Sequence, residues 1–190
     1  MSRPIRLCFG KIVIQDGATA SAEIKVQRSN VTIENTSIIP NISQYIDINK
    51  APFKIMYAYN VTMRNIIAIN LPINSDKTVT SYIIDVHYSY KVTLENITAT
   101  KGWGAIATHF CTDIIMRDCH VGRADFHYGV YGINLVEGCS FISYPCKIEI
   151  GYGDGTVIVR DCIFYKRVEG LIYSDTFIEC RNDFAIMFSG

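Results

Sequence analysis

The chain has 190 residues, 49% of them hydrophobic and 19% charged, with 18 basic and 18 acidic side chains. That suffices for one sizeable core and excludes a disordered chain, and the balanced charge gives no field pointing to nucleic acid or an anionic membrane. No apolar run reaches the ~20 residues of a membrane span, and residues 1–10 lack the apolar core of a signal peptide.

Along the chain a five-residue phrase recurs. Its first clear copy is Val31-Thr-Ile-Glu-Asn35, and the next is Val61-Thr-Met-Arg-Asn65. Between them, residues 37–52 read as a loop insertion, followed by a strand with Phe53, Ile55 and Tyr57 on one side. A second insertion near 70–80, with Pro72, Asn74, Ser75 and Asp76, precedes Ile84, Val86 and Tyr88, and then Val92-Thr-Leu-Glu-Asn96. Phe110 leads into Ile114-Ile-Met-Arg-Asp118, and Ala124, Phe126 and Tyr128 into Ile133-Asn-Leu-Val-Glu137. Ile148, Ile150 and Tyr152 precede Val157-Ile-Val-Arg-Asp161, and Leu171 and Tyr173 precede Ile178-Glu-Cys-Arg-Asn182.

Each phrase is apolar at its first and third positions and usually charged at its fourth, the alternation of a strand with one buried face. The amide or carboxylate that follows caps turns and can stack as a ladder. Just beyond it, Thr36, Ile66, Ile97, Cys119, Cys139 and Cys162 form a second inward column. The aromatic upstream of each phrase (Tyr57, Tyr88, Phe110, Tyr128, Tyr152, Tyr173) is read as inward too, in line with the aliphatic residues two and four positions before it.

Copies about 20–30 residues apart with two short strands each fit a right-handed parallel β-helix of about seven coils. A sandwich would show hairpin turns every ~8–12 residues, and Asn-Gly and Gly-Gly are missing. Residues 1–190 therefore read as a single β-helix domain with two loop insertions. The repeat is still running at Ile178–Asn182, and no capping helix opens the chain, so a fragment of a longer protein or assembly is expected.

The seven cysteines show no CxxC or Cys/His metal spacing, and no acidic cluster suggests calcium. Small buried residues are the better account of the repeated cysteines. No metal and no cofactor is expected. Gly151-Tyr-Gly-Asp-Gly155 lacks a P-loop lysine and reads as a tight corner.

Arg123-Ala-Asp125-Phe-His127-Tyr-Gly129-Val-Tyr131-Gly-Ile133, ending in Glu137-Gly-Cys139, resembles the central coils of bacteriophage tail-spike and tail-fibre proteins of the pectate-lyase-like β-helix superfamily. Arg181-Asn182-Asp183-Phe184 resembles a later coil, although Ala185-Ile186-Met187 departs from the family's Gly-Ser-Thr. The resemblance is closest over residues 114–190. It implies a trimeric shaft borne on the virion and contacting bacterial surface polysaccharide, in some members with depolymerase activity.

If the aromatic column points inward, the alternating residues point out as one patch across stacked strands ~4.8 Å apart. The patch holds Asp85 and His87, then Ala107 and His109, then Arg123, Asp125 and His127, then Lys147 and Glu149. Paired carboxylates flanking a glycosidic bond hydrolyse it, which makes Asp85, Asp125 and Glu149 candidate acids, bases or nucleophiles with His127 beside them. A lyase would need a base plus a cation against a uronate, roles that His127 and Arg123 could fill. His87, Trp103, His109, Arg123 and Lys147 are candidate glycan contacts, Trp103 as a stacking platform. Two readings stay open: a shaft with a glycan-binding face, and a polysaccharide lyase or hydrolase.

Overall fold

The computed structural model describes residues 5–7, 13–14, 18–20, 24–38, 51–68, 82–99, 105–141, 147–151, 153–164, 169–170 and 187–188. Among the described residues there is no helix. One sheet of 17 strands holds nearly all of them, and a two-strand pair, Glu169–Gly170 with Met187–Phe188, the rest. The strand pairs are parallel. Strand Val31–Ile38 pairs with Tyr59–Ala68, that with Tyr90–Ala99, that with Ala105–Arg117, and that with Ile133–Glu137. Each phrase therefore lies on the previous copy, an arrangement consistent with a parallel β-helix.

The core is a set of apolar columns. One runs Ile24, Phe53, Ile84, Ile106, Ala124, Ile148, and its neighbour Val26, Ile55, Val86, Thr108, Phe126, Ile150. Ile33, Met63, Leu94, Met116, Val136 and Val159 form a third. All of these side chains are buried. The second inward column holds as expected, from Thr36 through Ile66 and Ile97 to the buried free thiols of Cys119, Cys139 and Cys162. Burial pushes the Cys111 thiol up to about 11, and hydrogen bonding with the Cys119 thiol, partly opposed by Cys162 and helped by burial, pushes Cys139 up to about 12, so neither is a reactive thiolate.

The aromatic column is a correction. Tyr57, Tyr88, Phe110 and Tyr128 are exposed, at 64%, 49%, 38% and 47%. The cause is backbone geometry: Tyr57, Tyr88 and Phe110 sit at φ of 53°, 46° and 53°, in the left-handed region. One such residue turns the corner and breaks the two-residue alternation, so the next position faces inward, as buried Ala58, Ser89 and Cys111 do. Holding a bulky side chain there costs roughly 1–2 kcal/mol. Offset ring stacking, about 0.5–1.5 kcal/mol per pair, offsets it: Tyr57 on Tyr88 at 5.1 Å and Tyr88 on Phe110 at 5.0 Å, with nearly parallel planes. Gly129 takes the fourth corner at φ 61°, where an added Cβ would lie 2.5 Å from the Phe110 ring.

A second correction concerns the phrase at Ile133. The strands slip by one residue there, so that Asn134, not Ile133, continues the buried first column, with Val157 as its register partner. Ile133 is 64% exposed. The buried Asn134 amide is fully engaged: its Oδ1 accepts from the Ile114 N–H at 3.0 Å, and its Nδ2 donates to the Tyr131 and Thr156 carbonyls.

The turn-capping amides stack as expected. Asn65 donates to Asn35 at 2.8 Å and Asn96 to Asn65 at 2.9 Å, all three at left-handed φ that asparagine tolerates. In the observed register the charged column reads Glu34, Arg64, Glu95, Arg117, Glu137, Arg160, alternating without a break. Of the insertion expected near 37–52, Ser37 and Ile38 still belong to a strand. Residues 39–50 and 70–80 lie outside the described residues, as do Tyr152, Leu171, Tyr173, the copy at 178–182 and 183–186.

Candidate functional site: a buried ionic column beside a row of imidazoles

The strands Tyr82–His87, Ala105–Arg117, Arg123–Tyr131 and Lys147–Ile150 lie side by side, with Asp85, Ala107, Asp125 and Glu149 as successive register partners. The face expected from alternation is thus assembled, on the side of the sheet away from the apolar columns. Its three histidines form the expected column, with His87 stacked on His109 at 4.3 Å and His109 on His127 at 4.8 Å.

It is not the open patch expected. Asp125 is 0% exposed, Arg123 5% and Asp85 6%. Arg123 explains most of the enclosure: its guanidinium grips both oxygens of Asp125, with Nε donating to Oδ1 at 2.8 Å, and reaches Glu149 Oε2 at 3.2 Å. A buried charge persists only when paired and hydrogen-bonded, and one arginine does this for two carboxylates. Burial pushes the Asp125 carboxyl above the usual range, with the Arg123 guanidinium pulling it back down.

His127 occupies an extra residue in its strand. Phe126 pairs with Thr108 and Tyr128 with His109, which leaves His127 as a bulge. Gly151 makes room for it, since a Cβ there would lie 1.3 Å from the His127 carbonyl oxygen. Gly153 and Gly155 likewise approach the backbone at Val130 and Tyr131, which accounts for the glycine-rich corner. The bulge brings the His127 ring 3.8 Å from both Asp125 and Glu149, and its Nε2 lies 2.7 Å from the Tyr82 hydroxyl.

Asp85 forms a second centre. Its Oδ2 is 2.8 Å from His87 Nε2 and its Oδ1 3.5 Å from His109 Nε2. Burial first, and then the neighbouring His87, lower the His109 pKa to about 4, so this ring is neutral at physiological pH.

Lys147 is the register partner of Arg123, its side chain lying outside the described residues, and Trp103 falls outside them altogether. Tyr82 is a site residue that alternation misses. It shares a register position with Ala105 and Arg123 because Ile83 and Ile84 are both buried, an interruption visible as the doubled isoleucine. Burial, then Asp125, raise the Tyr82 pKa, so its hydroxyl keeps its proton and is not a phenolate. The exposed rings border the imidazoles: Tyr88 lies 6.4 Å from His87, and Tyr128 lies 6.2 Å from His109 and 6.0 Å from His127.

No protein-family model matches the chain, and no curated protein or solved structure is significantly similar to it.

Proposed function

We propose that the chain is part of the right-handed β-helical shaft, of about seven coils, of a bacteriophage tail spike or tail fibre. In this reading the parent protein is a homotrimer on the virion, and the shaft displays a binding face for bacterial surface polysaccharide. The observation that carries the proposal is the row of exposed rings beside half-buried imidazoles, Tyr88, Phe110 and Tyr128 along His87, His109 and His127. Sugars offer apolar C–H surfaces to aromatic rings and hydroxyls to imidazole nitrogens, and this border supplies both. The resemblance of residues 123–139 to tail-spike coils supports the same reading.

Burial of Asp125 and Asp85 favours binding over cleavage, because neither carboxylate is open to a glycosidic oxygen. One observation favours the depolymerase reading: Tyr82, His127 and Glu149 set a hydroxyl, an imidazole and a carboxylate within 3.8 Å of the central ring, all short of full burial. The test is a panel of purified capsular and lipopolysaccharide glycans, assayed for binding and for released oligosaccharides. Saturable binding that weakens at least about tenfold, about 1.4 kcal/mol, in Tyr88→Ala and Tyr128→Ala is expected. Released oligosaccharides that vanish in His127→Gln would replace the binding reading with the enzymatic one.

A further inference from the structure

We propose that Asp85, His87 and His109 form a binding site for a first-row divalent transition metal, with Zn2+ as the probe that defines it. One ligand atom from each of the three lies within 4.8 Å of the others. The two rings stack with only 10° between their planes and turn the same nitrogen, Nε2, toward the same carboxylate, one on each oxygen. Zn2+ takes imidazole nitrogen and carboxylate oxygen at about 2.0–2.2 Å, which sets two donors on a tetrahedral ion about 3.4 Å apart. The observed oxygen–nitrogen separations, 2.8 Å at Oδ2 and 3.5 Å at Oδ1, lie near that value on the two oxygens of one carboxylate.

A second observation points to a ligand. The Asp85 side chain is only 9% exposed, and its buried Oδ1 has no hydrogen-bond partner. A buried carboxylate oxygen without a hydrogen bond costs free energy that a cation between it and the His109 nitrogen would recover. Two imidazoles and one carboxylate suit zinc, copper, nickel or iron and not calcium or magnesium, which take oxygen-rich shells. Three protein donors leave a position for water on the half-exposed imidazole side, the pattern of an open site. Asp85 and His87 come from one strand and His109 from the next, so the ion would also clamp two adjacent strands of the sheet.

Sequence spacing conceals this site because its third ligand arrives by stacking. His109 is the register partner of His87 although 22 positions separate the two numbers, and no linear metal motif spans them.

The test is titration of the full chain, stripped with chelator, with Zn2+ and with Co2+, followed by calorimetry and visible absorption. One equivalent should bind, with Co2+ giving ligand-field bands and no thiolate charge-transfer band, which keeps the seven cysteines of the chain out of the account. His87→Gln and His109→Gln should each weaken Zn2+ binding by at least about tenfold. His120→Gln should not, since that ring pairs with Ser140 elsewhere. Circular dichroism of each variant establishes that it is folded. Absence of saturable binding, a thiolate band, or unchanged affinity in His87→Gln with His109→Gln would overturn the site. No glycan enters the assay, so its outcome is independent of the polysaccharide reading.

Discussion

The strands Tyr59–Ala68 and Tyr90–Ala99 match residue for residue: Val61 lies on Val92, Thr62 on Thr93, Met63 on Leu94, Arg64 on Glu95 and Ile66 on Ile97. The strands Ala105–Arg117 and Arg123–Tyr131 match only in part, because His127 is an extra residue and the next phrase slips by one at Asn134. In the regular pair like stacks on like, and the outward ladders of asparagine and of alternating charge close on themselves. In the irregular pair the columns change identity. An aromatic corner becomes Gly129, an aliphatic position becomes a buried asparagine, and an arginine enters the sheet face to hold two carboxylates. Uniform stacking builds the parallel sheet, and single-residue departures from it create the places where chemistry can sit.

The largest effect should come from the irregular pair. Removing one partner of a buried ion pair strands the other charge, so Arg123→Ala should lower the unfolding free energy by about 3–5 kcal/mol in urea denaturation. Arg123→Met combined with Asp125→Leu should lose far less than the two single losses added together, since neither charge is then left buried alone. Asn134→Val comes next. It restores the aliphatic residue of the regular copies but leaves the Ile114 N–H and the Thr156 carbonyl without their side-chain partner, at a cost of about 1–3 kcal/mol. A gain in stability would show that the slip, not the asparagine, is what the position requires.

The regular features of the fold are legible in sequence because their causes are local. Val31, Val61 and Val92 with Ile33, Met63 and Leu94 announce a half-buried strand, and the spacing of the copies announces stacking. The aromatic corner is not legible by alternation, because a left-handed residue interrupts the period of two at the position where it was extrapolated. One signal was available. The inward column follows the phrase start by five residues at Thr36, Ile66, Ile97, Cys119 and Cys162 but by six at Cys139, and the extra residue is the slip that exposes Ile133. That Asp85, His87, His109, Arg123, Asp125, His127 and Glu149 share one face was legible. Its enclosure was not, since that depends on which oxygen each arginine and imidazole nitrogen meets, and Tyr82 enters only through the interruption at Ile83.

The outward charge ladder should respond least. Glu137 lies between Arg117 and Arg160, and hydrogen bonding from Arg117, opposed by desolvation and supported by Arg160, holds its carboxyl below the ordinary 4.5. A depressed native pKa contributes stability that is present above the unfolded value and lost as pH falls through the native one. Glu137→Gln should therefore flatten the acid limb of the pH–stability profile below about pH 4.5, and should be nearly silent at high salt, where exposed pairs are screened. An unchanged acid limb would mean that the ladder adds nothing.

The comparison depends above all on which aromatic rings face in. Phe126 is 1% exposed, and Phe110, on the adjacent strand, is 38% exposed at a left-handed corner. The direct measurement is the difference in unfolding free energy between Phe126→Ala and Phe110→Ala by urea denaturation. A cavity at Phe126 should cost about 3–5 kcal/mol, whereas Phe110→Ala removes only ring stacking and should cost about 1 kcal/mol. Equal losses, or a larger loss at Phe110, would contradict the outward placement of the aromatic row and the binding face proposed on it.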